Sequence, residues 1–107
     1  MAVEIHDNSK EISEDIKAAL LRGLEKCGLT AERFAKKLAP YDTGNLRNSI
    51  THEVDDGEPA VYIGTNVEYA PYQELGTINM DANPFLKPAV ADHANTYRKI
   101  IEDELKG

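Results

Sequence analysis

From position 12 to position 38 the apolar residues return every three or four places: Ile12, Ile16, Leu20, Leu24, Cys27, Ala31, Phe34 with Ala35, and Leu38. That interval keeps one stripe on one side of an α-helix, so the spacing predicts a helix of about 30 residues, a rod on the order of 45 Å. Asn8-Ser9-Lys10-Glu11 reads as its capping box, with Asn8 accepting from first-turn amides and Glu11 reaching back. Gly23 and Gly28 each weaken a helix by about 1 kcal/mol relative to Ala, so a break at Gly28-Leu29-Thr30, with Thr30 capping a second collinear segment, fits equally well. Opposite the stripe stand Glu14, Lys17, Arg22, Glu25, Lys26, Glu32, Arg33, Lys36 and Lys37, a mixed-sign face that reads as solvated. Pro40 ends the helix, because its ring disfavours helical backbone at the residue before it and it has no N–H to donate.

Beyond the proline the period shortens. Ala2 to His6 alternates weakly, as a strand or a loose arm. Ser49 to Val54 alternates toward a strand, Asp55 to Pro59 carries turn residues, and Ala60 to Thr65 is rich in β-formers, so the two runs predict an antiparallel hairpin. VEYAPYQELGT at 67–77 predicts a short helical turn closed by Gly76. Pro84 or Pro88 suits the first turn of a last helix, along which Phe85, Leu86, Ala89, Val90, His93, Tyr97, Ile100, Ile101 and Leu105 keep helical spacing. The fold class expected is α+β: a long N-terminal helix, a small antiparallel sheet, and a C-terminal helix packed on that sheet.

Length and charge narrow the function. At 107 residues the chain is expected to form one domain, burying roughly 65% of its unfolded surface. The opening MAVEIHDNSKEIS lacks the basic flank and apolar core of a signal peptide, and no apolar run is long enough to span a bilayer. A formal charge of −7 opposes ordinary nucleic-acid binding, which needs a basic surface to neutralise phosphates. Cys27, the single cysteine, sits on the helical stripe and reads as a core residue. His6, His52 and His93 are far apart and form no paired ligand spacing; His93 lies on a helical stripe as a core or boundary residue, and His52 belongs with Asp55 and Asp56 to a surface hairpin end. No metal, cofactor or catalytic residue is expected.

Asp42-Thr43-Gly44 is the tripeptide with which aspartic proteases present a catalytic carboxylate, and one copy would suit a protease in which two identical chains share a proton. Here it follows an amphipathic helix and a proline, whereas such enzymes are almost entirely strand. The plainer reading is a turn in which Asp42 or Thr43 accepts from the amides of residues 44–46, Gly44 permits an unusual backbone, and Leu46 and Ile50 face the core.

Three blocks carry a more specific signal: AERFAKKLAPYDTGNLRNSI at 31–50, VYIGTNVEYAPYQELGT at 61–77 and NPFLKPAV at 83–90. In this order they resemble the siphophage head-tail connection family named after the tenth gene product of phage Hong Kong 97, over about residues 14 to 100, with mild departures at Tyr41, Asn45, Gln73, Leu75 and Lys87. The resemblance implies a non-enzymatic virion structural protein, a neck or tail-completion component also described as a minor tail protein. It implies a homo-oligomeric ring, six-fold or twelve-fold, between a connector or adaptor and the tail-tube or tail-terminator proteins, with DNA passing through the lumen without sequence-specific binding. Its place would be the virion, and the host cytoplasm during assembly.

Carried onto this chain, the motif residues are Asp42, Thr43, Gly44, Leu46, Arg47 and Ser49, then Tyr69, Ala70, Tyr72, Glu74, Gly76 and Thr77, then Pro84, Phe85, Leu86, Pro88 and Ala89. A structural role is favoured for them over direct partner contact. Arg47 is expected to pair with Glu74, since a planar guanidinium suits a buried carboxylate. The segment 77–83, TINMDAN, is the candidate for reaching a neighbouring subunit. A soluble oligomeric binding or regulatory module without a virion role is the alternative.

Overall fold

The structure, a computed structural model, describes residues 2–6, 13–39, 45–68, 70–76, 82 and 84–106. Helix α1 (Glu14–Leu38) is one unbroken helix. It is opened by Ser13, whose extended backbone turns its side-chain oxygen to accept from the Ile16 amide at 3.3 Å. The capping box expected at Asn8 to Glu11 lies outside the described residues. Glu14 and Asp15 in the first turn and Lys36 and Lys37 in the last complement the helix dipole. Ala39 is extended, with ψ of 138°, as the residue before a proline tends to be.

No break occurs at Gly28-Leu29-Thr30. The Thr30 hydroxyl donates to the Lys26 carbonyl at 2.9 Å, inside the helix rather than at a cap. Gly28 instead admits a neighbour: a Cβ there would stand 2.4 Å from His52 Cδ2 and 3.0 Å from Val61 Cγ2. The stripe narrows to Leu20, Leu24, Cys27, Ala31 and Ala35, all buried, while Ile16 and Leu38 at its ends are largely exposed. Small residues in the middle of α1 let elements approach on both sides.

The sheet has three antiparallel strands, β1 (Ala2–His6), β2 (Thr51–Asp55) and β3 (Ala60–Gly64), in the order β1-β3-β2. The N-terminal run is thus a paired strand, with Val3 opposite Ile63 and His6 opposite Ala60. The apolar β3 takes the centre, where Ala60, Val61 and Ile63 are buried. β2 lies on an edge, turns His52 and Val54 inward and leaves Glu53 and Asp55 exposed, charges that discourage a further strand from pairing. At the hairpin turn Asp55 Oδ1 accepts from the amides of Gly57 at 2.9 Å and Glu58 at 3.4 Å. Ser49, expected to begin the strand, belongs instead to a short helix, α2 (Asn45–Ser49).

Helix α3 (Ala70–Leu75) follows the sheet and ends at Gly76, whose φ of 79° is left-handed. The expected last helix is two: α4 (Leu86–Ala91) and α5 (Ala94–Lys106). At the junction the Asp92 amide donates to Pro88 O at 3.0 Å and the His93 amide to Val90 O at 3.4 Å, a tightened turn that the uninterrupted apolar spacing does not mark. The turn lays the His93 ring on Phe34, with centroids 3.6 Å apart and planes within 9°. α5 packs mainly along α1 rather than on the sheet, and it is α4 that meets β1 as well as α1.

Candidate functional site

The residues with something to hold are those of the three sequence blocks. Ser49 stands at the end of α2, where its hydroxyl donates to the Leu46 carbonyl at 2.6 Å and is bonded to the hydroxyl of Thr65 just past β3. Thr65 Oγ1 in turn accepts from the Val67 amide at 3.2 Å, and the Ala70 amide donates to Val67 O at 3.2 Å, opening α3. The first block is thereby tied to the second through two hydroxyls. Leu46 and Ile50 are buried beside them, as the sequence pattern requires.

The second block is joined to the third by one carboxylate. Glu74, on α3, is only 5% exposed. Its Oε1 accepts from the amides of Phe85 at 3.0 Å and Leu86 at 2.9 Å, and its Oε2 from the Lys87 amide at 3.0 Å. Those are the donors that the first turn of α4 leaves without intrahelical partners, and Phe85 at the cap position supplies no side-chain bond of its own. A negative charge there also meets the positive end of a helix. The sequence expectation of an Arg47–Glu74 pair is therefore corrected: the partner of Glu74 is a run of backbone amides, which sequence inspection does not display as it does a charged side chain. Arg47 is half-buried on α2.

Around this clamp Phe85, Leu86 and Ala89 are fully buried, Ala70 likewise, and Pro88 is partly buried while Pro84 is exposed. Tyr72 lies on α3. Asp42, Thr43, Gly44, Tyr69 and Thr77 lie outside the described residues, as does the segment 77–83 apart from Ala82.

Nothing in the described chemistry resembles a reaction centre. Both oxygens of the Glu74 carboxylate are taken up by the three backbone amides. Cys27 is fully buried, its Sγ sits 3.7 Å from the Tyr97 carbonyl oxygen, and burial pushes its thiol up to about 11, away from nucleophilic use. Burial likewise pushes Tyr97 up to about 12, while its hydroxyl donates to Ala89 O. Among the described residues no three His, Cys, Asp or Glu side chains converge as a metal ion would need. None of the described helices is long and apolar enough to cross a membrane.

The face of α1 read as merely solvated has two occupants. Arg22 Nε and Lys26 Nζ both bond Glu104 of α5, and Lys26 foremost, with Arg22, holds the Glu104 carboxyl below the ordinary carboxylate range. Glu25 and Glu32 take the two ring nitrogens of His52, which is turned into α1 rather than grouped with Asp55 and Asp56 at the hairpin end. The signal available for this was Gly28, midway between the two glutamates: a glycine in a helix with no cap to make marks a close approach.

Comparison with known proteins adds one match. A family model described as "Bacteriophage HK97-gp10, putative tail-component" matches residues 4–76, from β1 through the end of α3. The resemblance expected over 14 to 100 is thus matched as far as Gly76, one residue short of the end of the second block, and the third block lies beyond the match. No curated protein and no solved structure matches the chain. With most of its length matched, including the Asp-Thr-Gly tripeptide and the helix that carries Glu74, the chain belongs to the HK97-gp10 family of bacteriophage tail components.

Proposed function

We propose that the chain is a neck or tail-completion component that assembles into a closed ring at the head-tail interface, with residues 1–107 acting as one head-tail connection domain. The observation that carries this reading is the use made of polar residues in the three blocks: Ser49, Thr65 and Glu74 bond to one another or to backbone and bring the blocks together. That is the work of a scaffold. Subunits meet head to tail in a heterologous contact that closes by rotation, six-fold or twelve-fold. The partners are the connector or adaptor on one side and tail-tube or tail-terminator proteins on the other. A net charge of −7 suits a channel through which DNA slides without sticking.

The test is electron microscopy of the purified full-length chain, alone and mixed with its cognate connector and tail-tube proteins. Closed rings that join those partners support the reading. A chain that stays monomeric or dimeric in every mixture, and whose removal leaves complete tailed particles, would point to a soluble regulatory module instead.

A further inference from the structure

We propose that His52 is a proton-operated lock that pins the β2–β3 hairpin to α1 while its imidazole is doubly protonated and releases it as the ring loses a proton. His52 lies on the edge strand and reaches across to two carboxylates seven residues apart on α1. Its Nε2 is 2.8 Å from Glu25 Oε1, and its Nδ1 is bonded to Glu32 Oε2. An ionised carboxylate can only accept, so both bonds require both nitrogens to donate, and only the imidazolium does that. A neutral ring keeps one N–H; its other nitrogen then presents a lone pair to a carboxylate, and two negative charges are left around an uncharged group.

The ring is fixed by packing as well as by these bonds. It lies against the helix backbone at Gly28, close enough that a Cβ there would meet it at 2.4 Å. Among the described residues the charged groups facing it come from α1: Glu25, Glu32, and Lys36, whose Nζ is 3.5 Å from the other oxygen of Glu32. From β3 the neighbours are apolar, Ile63 directly opposite His52 and Val61 beside it. Lys36 thus gives Glu32 a second cationic neighbour, whereas Glu25 has the ring alone among these groups.

Burial by itself lowers the His52 pKa, but the bonds and charges of Glu32 and Glu25 outweigh it and the net shift is upward from 6.5. The sign follows. A histidine raised in the folded state contributes stability that is fully present below its unfolded pKa and is lost as pH rises through the folded one. The hairpin is therefore fully locked below pH 6.5 and freed as pH rises through the folded-state midpoint above it.

Long-range proton–nitrogen NMR spectra of the full chain between pH 5 and 9 read the lock directly. Expected is a His52 ring protonated on both nitrogens at pH 5, with a midpoint above 6.5 that falls when Glu25→Gln and Glu32→Gln are combined. Hydrogen exchange at residues 51–54, corrected for intrinsic base catalysis, should quicken about tenfold across the wild-type midpoint, a change of 1.4 kcal/mol. A midpoint at or below 6.5 overturns the proposal, and so does exchange that does not respond to the midpoint. Both are read on the wild-type protein, so the outcome stands even if the double variant fails to fold.

Discussion

Glu74 shows how one side chain can serve as a helix cap from eleven residues away. Its two oxygens satisfy three amides at the start of α4, in a site from which water is nearly excluded. Leaving such donors unpaired is expensive, about 1 to 3 kcal/mol each and less than additive together. Glu74→Gln keeps the volume but turns an NH2 toward amides that need an acceptor. It should lose about 2 kcal/mol and lower Tm by on the order of 10 °C, with Glu74→Ala losing more. Melting within a degree of wild type would mean that the clamp contributes nothing. Cys27 offers a second test at this scale. Buried against the Tyr97 carbonyl with a thiol pushed up to about 11, it should resist a disulfide-exchange reagent at pH 8 in the folded protein and react at once in denaturant. Prompt labelling of folded protein would show that α5 opens away from α1.

Among the elements, α1 organises the rest, because its middle is built from Gly23, Cys27, Gly28, Ala31 and Ala35. The two glycines look alike in sequence and differ in what they face. At Gly28 a methyl group would press on the His52 ring and on Val61, groups fixed by their own contacts. At Gly23 it would meet the free end of Ile101 at 2.8 Å, which can turn aside, and otherwise only ordinary contacts at 3.5 and 3.6 Å. Alanine gains about 1 kcal/mol from helix propensity at either site. Gly28→Ala should nevertheless lose about 1 to 3 kcal/mol through overpacking, whereas Gly23→Ala should be neutral or stabilising. Urea denaturation of the two variants side by side makes the comparison, and equal effects would show that Gly28 is not a packing site. Phe34 marks a third contact of this helix. Stacked on His93 and edge-on to Tyr97 at 6.5 Å, it holds the α4–α5 turn against α1.

At the scale of the molecule, the fold is elongated, 50 × 22 × 21 Å, and strongly acidic. Copies carrying a charge of −7 repel one another at low ionic strength, where the screening length exceeds the gap between neighbours. Salt shortens that length from about 30 Å at 0.01 M to about 8 Å at 0.15 M. If the proposed ring is held by packing and shape, its yield should rise between those conditions, as mass photometry would read. A ring that dissolves as salt is added would have to be held by ion pairs between subunits.

Several features were settled by local patterning alone. The long helix follows from three-and-four spacing, its end from Pro40, the β2–β3 hairpin from alternation around Asp55 to Pro59, and the close of α3 from Gly76. Each depends on neighbours a few residues away, and the family resemblance likewise resides in three short blocks of residue letters. Tertiary structure decided the rest, because the interacting groups are distant in sequence. The N-terminal run became a strand only because β3 had a free edge to pair with it. The closing helix split where His93 met Phe34. Gly28 changed from a suspected break to the seat of His52, and Glu74 found amides in place of Arg47. Backbone donors carry no residue letter, and a helix face shows its partners only once the chain has folded back on it.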